Sequence, residues 1–169
     1  MNTAELLAEA FDRVRDEVHA AVDGLSPEEL AFRPGDKANS IVWLVWHLTR
    51  VQDDHVADAA GRGQVWTGQG WSDRFQLPLG EKETGYGHTS EQVASVSGVF
   101  ADQLRGYHDA VHEQTLSFVR TLDDAALDRV VDEQWTPHVT LGVRLISVIS
   151  DDLQHTGQAA YVRGMLQRR

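Results

Sequence analysis

The sequence predicts an all-α protein, a four-helix bundle with a long glycine-rich loop between its second and third helices. Three observations predict it. Four long segments repeat apolar residues at helical spacing, no segment carries a convincing strand pattern, and one connection holds seven of the 14 glycines. A chain of 169 residues suits one core, so residues 1–169 are expected to form a single domain.

The first helix is expected from about 3 to 23, where Leu7, Phe11, Val14, Val18 and Val22 form one stripe. Gly24 ends it, and Ser26-Pro27-Glu28-Glu29 opens a short turn of helix with proline in its first turn. Asn39 is the expected cap of the second helix, which runs to about Ala60; its opening, Ile41 to Trp46, is apolar on every side and so is expected to be buried all round. Residues 61–90 carry glycines at 61, 63, 68, 70, 80, 85 and 87, and no helix is expected there. Trp66, Trp71, Phe75 and Tyr86 argue for an ordered loop over one end of the bundle rather than a disordered linker. The third helix is expected over about 91–120, with Val93, Val96, Phe100, Leu104, Tyr107, Val111 and Phe118 close to one apolar line, then a short helix over Asp123–Val131, and loop or extended chain over 132–140. The fourth helix is expected over about 141–167, with Leu141, Leu145, Val148, Ala159, Val162 and Leu166 inward.

Composition removes several function classes. With 15 basic and 26 acidic residues the formal net charge is -11, and no basic patch opposes it, so nucleic acid is not an expected partner. There is no cysteine, which excludes disulfides, thiolate metal sites and a cysteine nucleophile. No stretch of about 20 apolar residues is present, and the N-terminal apolar pattern contains acidic residues; neither a membrane span nor a signal peptide is expected, and the protein is read as cytoplasmic. No nucleophile elbow, Walker loop or GxGxxG signature occurs.

Histidines and carboxylates carry the remaining chemistry. Asp151 and His155 stand four apart on the fourth helix, a spacing at which both can grip one divalent ion. His155 lies nearly on the apolar line; Asp152, three residues before it, is nearer that line than Asp151 and competes as its partner. The alternative is a hydrogen-bonded core histidine beside two solvated aspartates. His47 follows the apolar opening of the second helix, and a buried imidazole needs partners for both nitrogens. His55 rivals it, lying nearer the stripe of Leu44, Leu48 and Val51. His108 and His112 form an HxxxH pair, but fall about 70° and 110° from the third helix's apolar line, so they are expected to be mostly solvated.

Taken in order, Trp46-His47-Leu48 on the second helix and carboxylate-x-x-x-His155-Thr156-Gly157-Gln158 on the fourth resemble the DinB-like family of metal-binding four-helix bundles. That family includes bacterial thiol-dependent S-transferases such as mycothiol-dependent maleylpyruvate isomerase. The segments Leu25 to Pro34 and Asn39 to Leu48 also resemble the family's first interhelical link and the start of its second helix. The resemblance implies a metal site of His47, Asp151 and His155 holding zinc or nickel, and it moves the preference for the middle ligand from Asp152 to Asp151. It further implies that the thiol of a cysteine-free enzyme arrives on a small molecule, with mycothiol suspected, and attacks an electrophilic substrate. Trp66 and Trp71 are then expected in the pocket wall or, equally, packed in the core, and a homodimer is expected from helix-face pairing. Two other readings stand beside this one: the same metal activating water for hydrolysis, and a non-catalytic metal-binding stress-response bundle.

Overall fold

The computed structural model describes residues 1–168, and it is predominantly helical. Four long helices dominate: α1 (Thr3–Val22), α3 (Ile41–Ala60), α7 (Ala101–Val119) and α8 (Leu141–Leu166). Between them lie α2 (Pro27–Leu30), α4 (Val65–Gly68), α5 (Trp71–Phe75) and α6 (Ser90–Ser95). A 3-10 turn at Ala125–Asp128 precedes two short antiparallel strands, β1 (Val130–Asp132) and β2 (Val139–Thr140). Side-chain oxygens fix the helix starts: Asn2 caps α1, Ser26 caps α2, Ser40 rather than Asn39 caps α3, and Thr140 caps α8.

The long helices touch in a closed ring, α1 against α7 and α8, and α3 against α7 and α8. Contacts fix their directions. Arg163 donates to the carbonyls of Ala21 and Asp23, so α8 runs parallel to α1. His112 meets Asp12 and Arg105 meets Asp23, so α7 runs antiparallel to α1. Arg144 meets His55 near one end of α3 while His47 lies by His155 further along, so α3 opposes α8. Consecutive long helices α3 and α7 are therefore parallel, and the chain between them must travel back along the protein. The connection expected over one end instead runs lengthwise along α3. Arg50 donates to the Glu83 carbonyl, His47 to the Thr84 carbonyl, and Trp43 to His88.

A knot of buried polar groups holds that return path. Asp53, fully buried, accepts from the backbone N–H groups of Val65 and Trp66, both at 2.8 Å, and from the Tyr107 hydroxyl at 2.8 Å. Arg50, also fully buried, lies 3.6 Å from Asp53 and donates to Gln64, Tyr107 and the Glu83 carbonyl. Burial raises the Asp53 pKa above its ordinary value, against the lowering pull of these donors. Trp66 and Trp71 serve this same packing. Trp66 is buried against Trp46, Phe75 and Tyr107, and Trp71 lies against Tyr107 where Gly106 leaves room; a Cβ there would stand 2.7 Å from the Trp71 ring.

The apolar interior is two clusters, one around Val14, Leu48 and Val111 and the other around Phe11, Val56 and Val148. Polar side chains lie between them along the inner stripes: Thr49 and Gln52 on α3, Thr115 on α7, Asp152 on α8. Gln52 donates to Thr115 at 2.9 Å. Asp152 is wholly buried, and burial with Asp151 alongside raises its pKa well above the ordinary carboxylate value.

The third expected helix is broken. Gly98 takes a positive φ of 72°, and α7 begins only at Ala101. Of the expected apolar line, Leu104, Tyr107 and Val111 are buried on α7, while Val93 and Val96 belong to the segment before the break. The inner face of α7 runs through Leu104, Tyr107, His108, Val111, His112 and Thr115, and Phe100 is exposed. His108 and His112, expected to be solvated, are buried, because α7 packs against both α1 and α3 and its inner face is wider than the apolar line. His112 bonds Asp12 at 2.8 Å.

Two predictions follow from this packing. Asp53→Ala leaves the buried Arg50 guanidinium without its carboxylate, and the expected loss is about 3–5 kcal/mol in urea unfolding; a loss under about 1 kcal/mol would show that the pair is dispensable. Burial, with His112 beside it, lowers the His108 pKa from 6.5 to about 3. Between those values the unfolded chain takes up a proton that the folded chain refuses. The stability at stake is complete above pH 6.5 and is lost as the pH falls toward 3, by up to about 1.4 kcal/mol per pH unit. His108→Leu should flatten the acid-side fall of Tm; parallel curves for variant and wild type would refute it.

Candidate metal centre

His47, Asp151 and His155 converge between α3 and α8, each offering a ligand atom within 4.8 Å of the others. Among the described residues this is the one such group of three. The α8 pair follows from its spacing: residues four apart stand one above the other, and His155 Nε2 lies 3.6 Å from Asp151 Oδ1. Asp152, the rival middle residue, points instead into the core, away from the group. His55 stays outside as well, half-exposed and 3.3 Å from Arg144.

His47 is held from two sides. Its Nδ1–H donates to the Thr84 carbonyl at 2.5 Å, which leaves Nε2 with the free lone pair. Trp43, one turn earlier, stacks on the imidazole at 4.6 Å between centroids and 15° between planes. Burial, with the His155 imidazole nearby, lowers the His47 pKa below 6.5 despite the Thr84 carbonyl, so the ring is neutral at neutral pH. Trp43 in turn donates its indole N–H to His88 Nδ1 at 3.2 Å, and His88 Nε2–H donates to Glu83 at 2.8 Å.

The donor set fits a divalent ion. Two imidazoles and one carboxylate are a common ligand set, and three ligands leave a position open. Asp151 Oδ2 and His155 Nδ1 are buried without hydrogen-bond partners. The Thr84 carbonyl on His47 is the outer contact that fixes a ligating histidine's tautomer.

A cavity of about 610 Å³ opens onto this group, bordered by His47, Thr84 and Asp151 at one end. Asp54, Asp58, Asp132 and Arg144 line it further out, and exposed Tyr86 and Trp135 stand at its margin. Trp66 and Trp71, the aromatics expected in the pocket wall, do not border it; their place is the core described above. Sequence reasoning missed Trp43, Thr84, Gly85 and His88. Trp43 carried a signal, standing four residues before His47 on one helix. The other three did not, because only the folded connection brings them there.

Fold and site together define a class of helical proteins in which two histidines and a carboxylate, able to hold a metal ion, stand beside a cleft. The comparisons narrow that class. A family model described as mycothiol-S-transferase matches residues 6–167, so the chain belongs to the mycothiol-S-transferase family, which is DinB-like. A crystal structure of a conserved protein from Enterococcus faecalis is similar over 100% of this chain and 99% of that one, at 30% identity and a TM-score of 0.92. No curated protein matches the chain.

Gly85 makes the His47 contact possible. Its φ is +96°, and a Cβ would stand 2.7 Å from His47 Nδ1 and 3.1 Å from both Trp43 and Trp46. Gly85→Ala should displace the Thr84 carbonyl and weaken zinc binding by about 10- to 100-fold, measured by competition with a chromogenic chelator. Unchanged affinity would show that this contact does not tune the site.

Proposed function

We propose that this protein is a divalent-metal-dependent transferase that activates a small-molecule thiol, mycothiol, for attack on an electrophilic substrate. The observation that carries the reading is the convergence of His47, Asp151 and His155 at the end of the 610 Å³ cleft, in a chain of the mycothiol-S-transferase family. Asp151, His155 and Nε2 of His47 are the groups that would hold zinc or nickel. A divalent ion held there favours thiolate over thiol at neutral pH.

The chain's own residues supply orientation and enclosure. Neutral His47 presents a lone pair without a proton to lose, and Thr84 and Trp43 hold its ring in place. With no cysteine in the chain, the reacting sulfur must come from the thiol substrate. In the transfer, a carbon–sulfur bond forms, the leaving group departs with its electron pair, and the thiol proton passes to solvent. The cleft volume falls within the usual range for small-molecule sites. Among the described residues no helix is long and apolar enough to cross a membrane, and the reading places the protein in the cytoplasm with its thiol.

The test is metal content by mass spectrometry on untagged protein, followed by mycothiol conjugation to 1-chloro-2,4-dinitrobenzene. About one zinc or nickel per chain is expected, lost in His47→Ala and Asp151→Ala and kept in His138→Ala, whose side chain is exposed and outside the group. Conjugation should fall at least 100-fold in the two ligand variants, roughly the scale of losing an essential electrostatic group. Wild type without metal after dialysis against zinc and nickel would refute the metal site. Metal without turnover would favour the non-catalytic reading, and ester hydrolysis in its place the hydrolase.

A further inference from the structure

The cleft is one of two recesses on a single seam between α3 and α8. Along α3, Leu44, His47, Val51, Asp54 and Asp58 follow at alternating steps of three and four residues, so they share one edge of that helix. Along α8, Ser147, Asp151, Gln154, Gln158, Tyr161 and Met165 do the same. The helices are antiparallel. Asp54 and Asp58 therefore share one recess with Ser147, and Leu44 shares the other with Tyr161 and Met165. His47 and Asp151 fall between the two, with His155 beside them.

The two ends differ in chemistry. The cleft carries Asp54, Asp58, Asp132 and Arg144 beyond the metal group. At the other end a groove of about 530 Å³ runs between α8 and the segment leading into α3. Its walls include Pro34, Leu44, Tyr161, Val162 and Met165. Among the described residues none that lines it is charged, in a chain with a formal net charge of -11. The groove begins at Leu44 and Gln154, which stand three residues from His47 and Asp151, about 4.5 Å along each helix.

On the transferase reading above, we infer that this groove holds the body of the electrophile, which is therefore an uncharged compound with an apolar chain or ring, while the hydrophilic thiol lies in the charged cleft. Two observations select that occupant. Thiol transfer brings two unlike molecules to one point, and the seam offers two unlike recesses that meet at His47, Asp151 and His155. Charge then assigns them. A hydroxyl-rich thiol finds carboxylate acceptors in the cleft. A charged electrophile would lose its hydration in the groove with no counter-charge to replace it, whereas an apolar body gains from the same burial.

The experiment measures alkylation of mycothiol by n-propyl, n-pentyl and n-heptyl iodide on the zinc-loaded protein, above the uncatalysed rate. The sulfur–carbon bond forms, iodide leaves with the electron pair of the carbon–iodine bond, and the thiol proton passes to solvent. All three iodides present the same primary carbon, so differences report the chain. The value of kcat/KM should rise about two- to fourfold for each added CH2. Gly157 lines the groove, and a Cβ there would meet nothing within 4 Å, so Gly157→Phe sets a ring in the groove without a backbone clash. It should abolish the rise. Gly164→Phe, equally free of clash and outside the groove, should keep it. A flat wild-type series overturns the groove assignment and leaves the transferase reading standing, as does a rise that survives Gly157→Phe. If no iodide reacts, the transferase reading fails by itself, and equilibrium binding of the uncharged fluorophore N-phenyl-1-naphthylamine to metal-free protein decides the groove. Affinity about tenfold weaker in Gly157→Phe than in Gly164→Phe supports an apolar ligand there, and equal affinity overturns it.

Discussion

The buried Arg50–Asp53 pair on α3 is the constraint on which the rest depends. Because α3 and α7 run parallel, the chain joining them must cover the length of the helical core with little regular structure of its own. A backbone on such a path needs partners for its polar groups. Asp53 supplies acceptors for the N–H groups that open α4, and Arg50 supplies donors for the carbonyls around Glu83. Neither ion is tolerable alone in that setting, and each is held by the other and by Tyr107.

Function enters through the same path. Once Arg50 fixes the chain at Glu83, the next carbonyl, Thr84, falls on His47, and Gly85 is the residue that lets the backbone approach so closely. The imidazole tautomer, and with it the nitrogen that faces Asp151 and His155, is thus set by a segment that contributes no ligand.

Much of this was legible in residue order. The stripe Leu7, Phe11, Val14, Val18 and Val22 is buried on α1 as its period requires, and Leu141, Leu145, Val148, Ala159 and Val162 are buried on α8. The third segment is legible only in part: Leu104, Tyr107 and Val111 are buried as their line requires, but the helix is interrupted before Ala101. Gly98 marks the break, yet a single glycine within an apolar pattern does not distinguish a kink from a continuous helix. His108 and His112 lie to one side of that line, and α7, packed against both α1 and α3, buries a face wide enough to include them. Asp152 shows the converse. Periodicity alone favours it as a ligand, whereas that line leads into the core; Asp151, the residue to which the family resemblance points, is turned to the flank beside His47 and His155.

The sequence by itself determined the all-α class, the boundaries of the first, second and fourth long helices, and the residue types able to grip an ion at a four-residue spacing. These are local properties: helical period, capping side chains and the rise per turn act between neighbours in the chain. Tertiary structure decided the rest. The parallel course of α3 and α7, the placing of Trp66 and Trp71 in the core, the Thr84 carbonyl on His47 and the burial of Asp152 in the core all depend on which distant segments meet. Contacts between distant segments follow from packing the whole chain at once, and no local pattern encodes them.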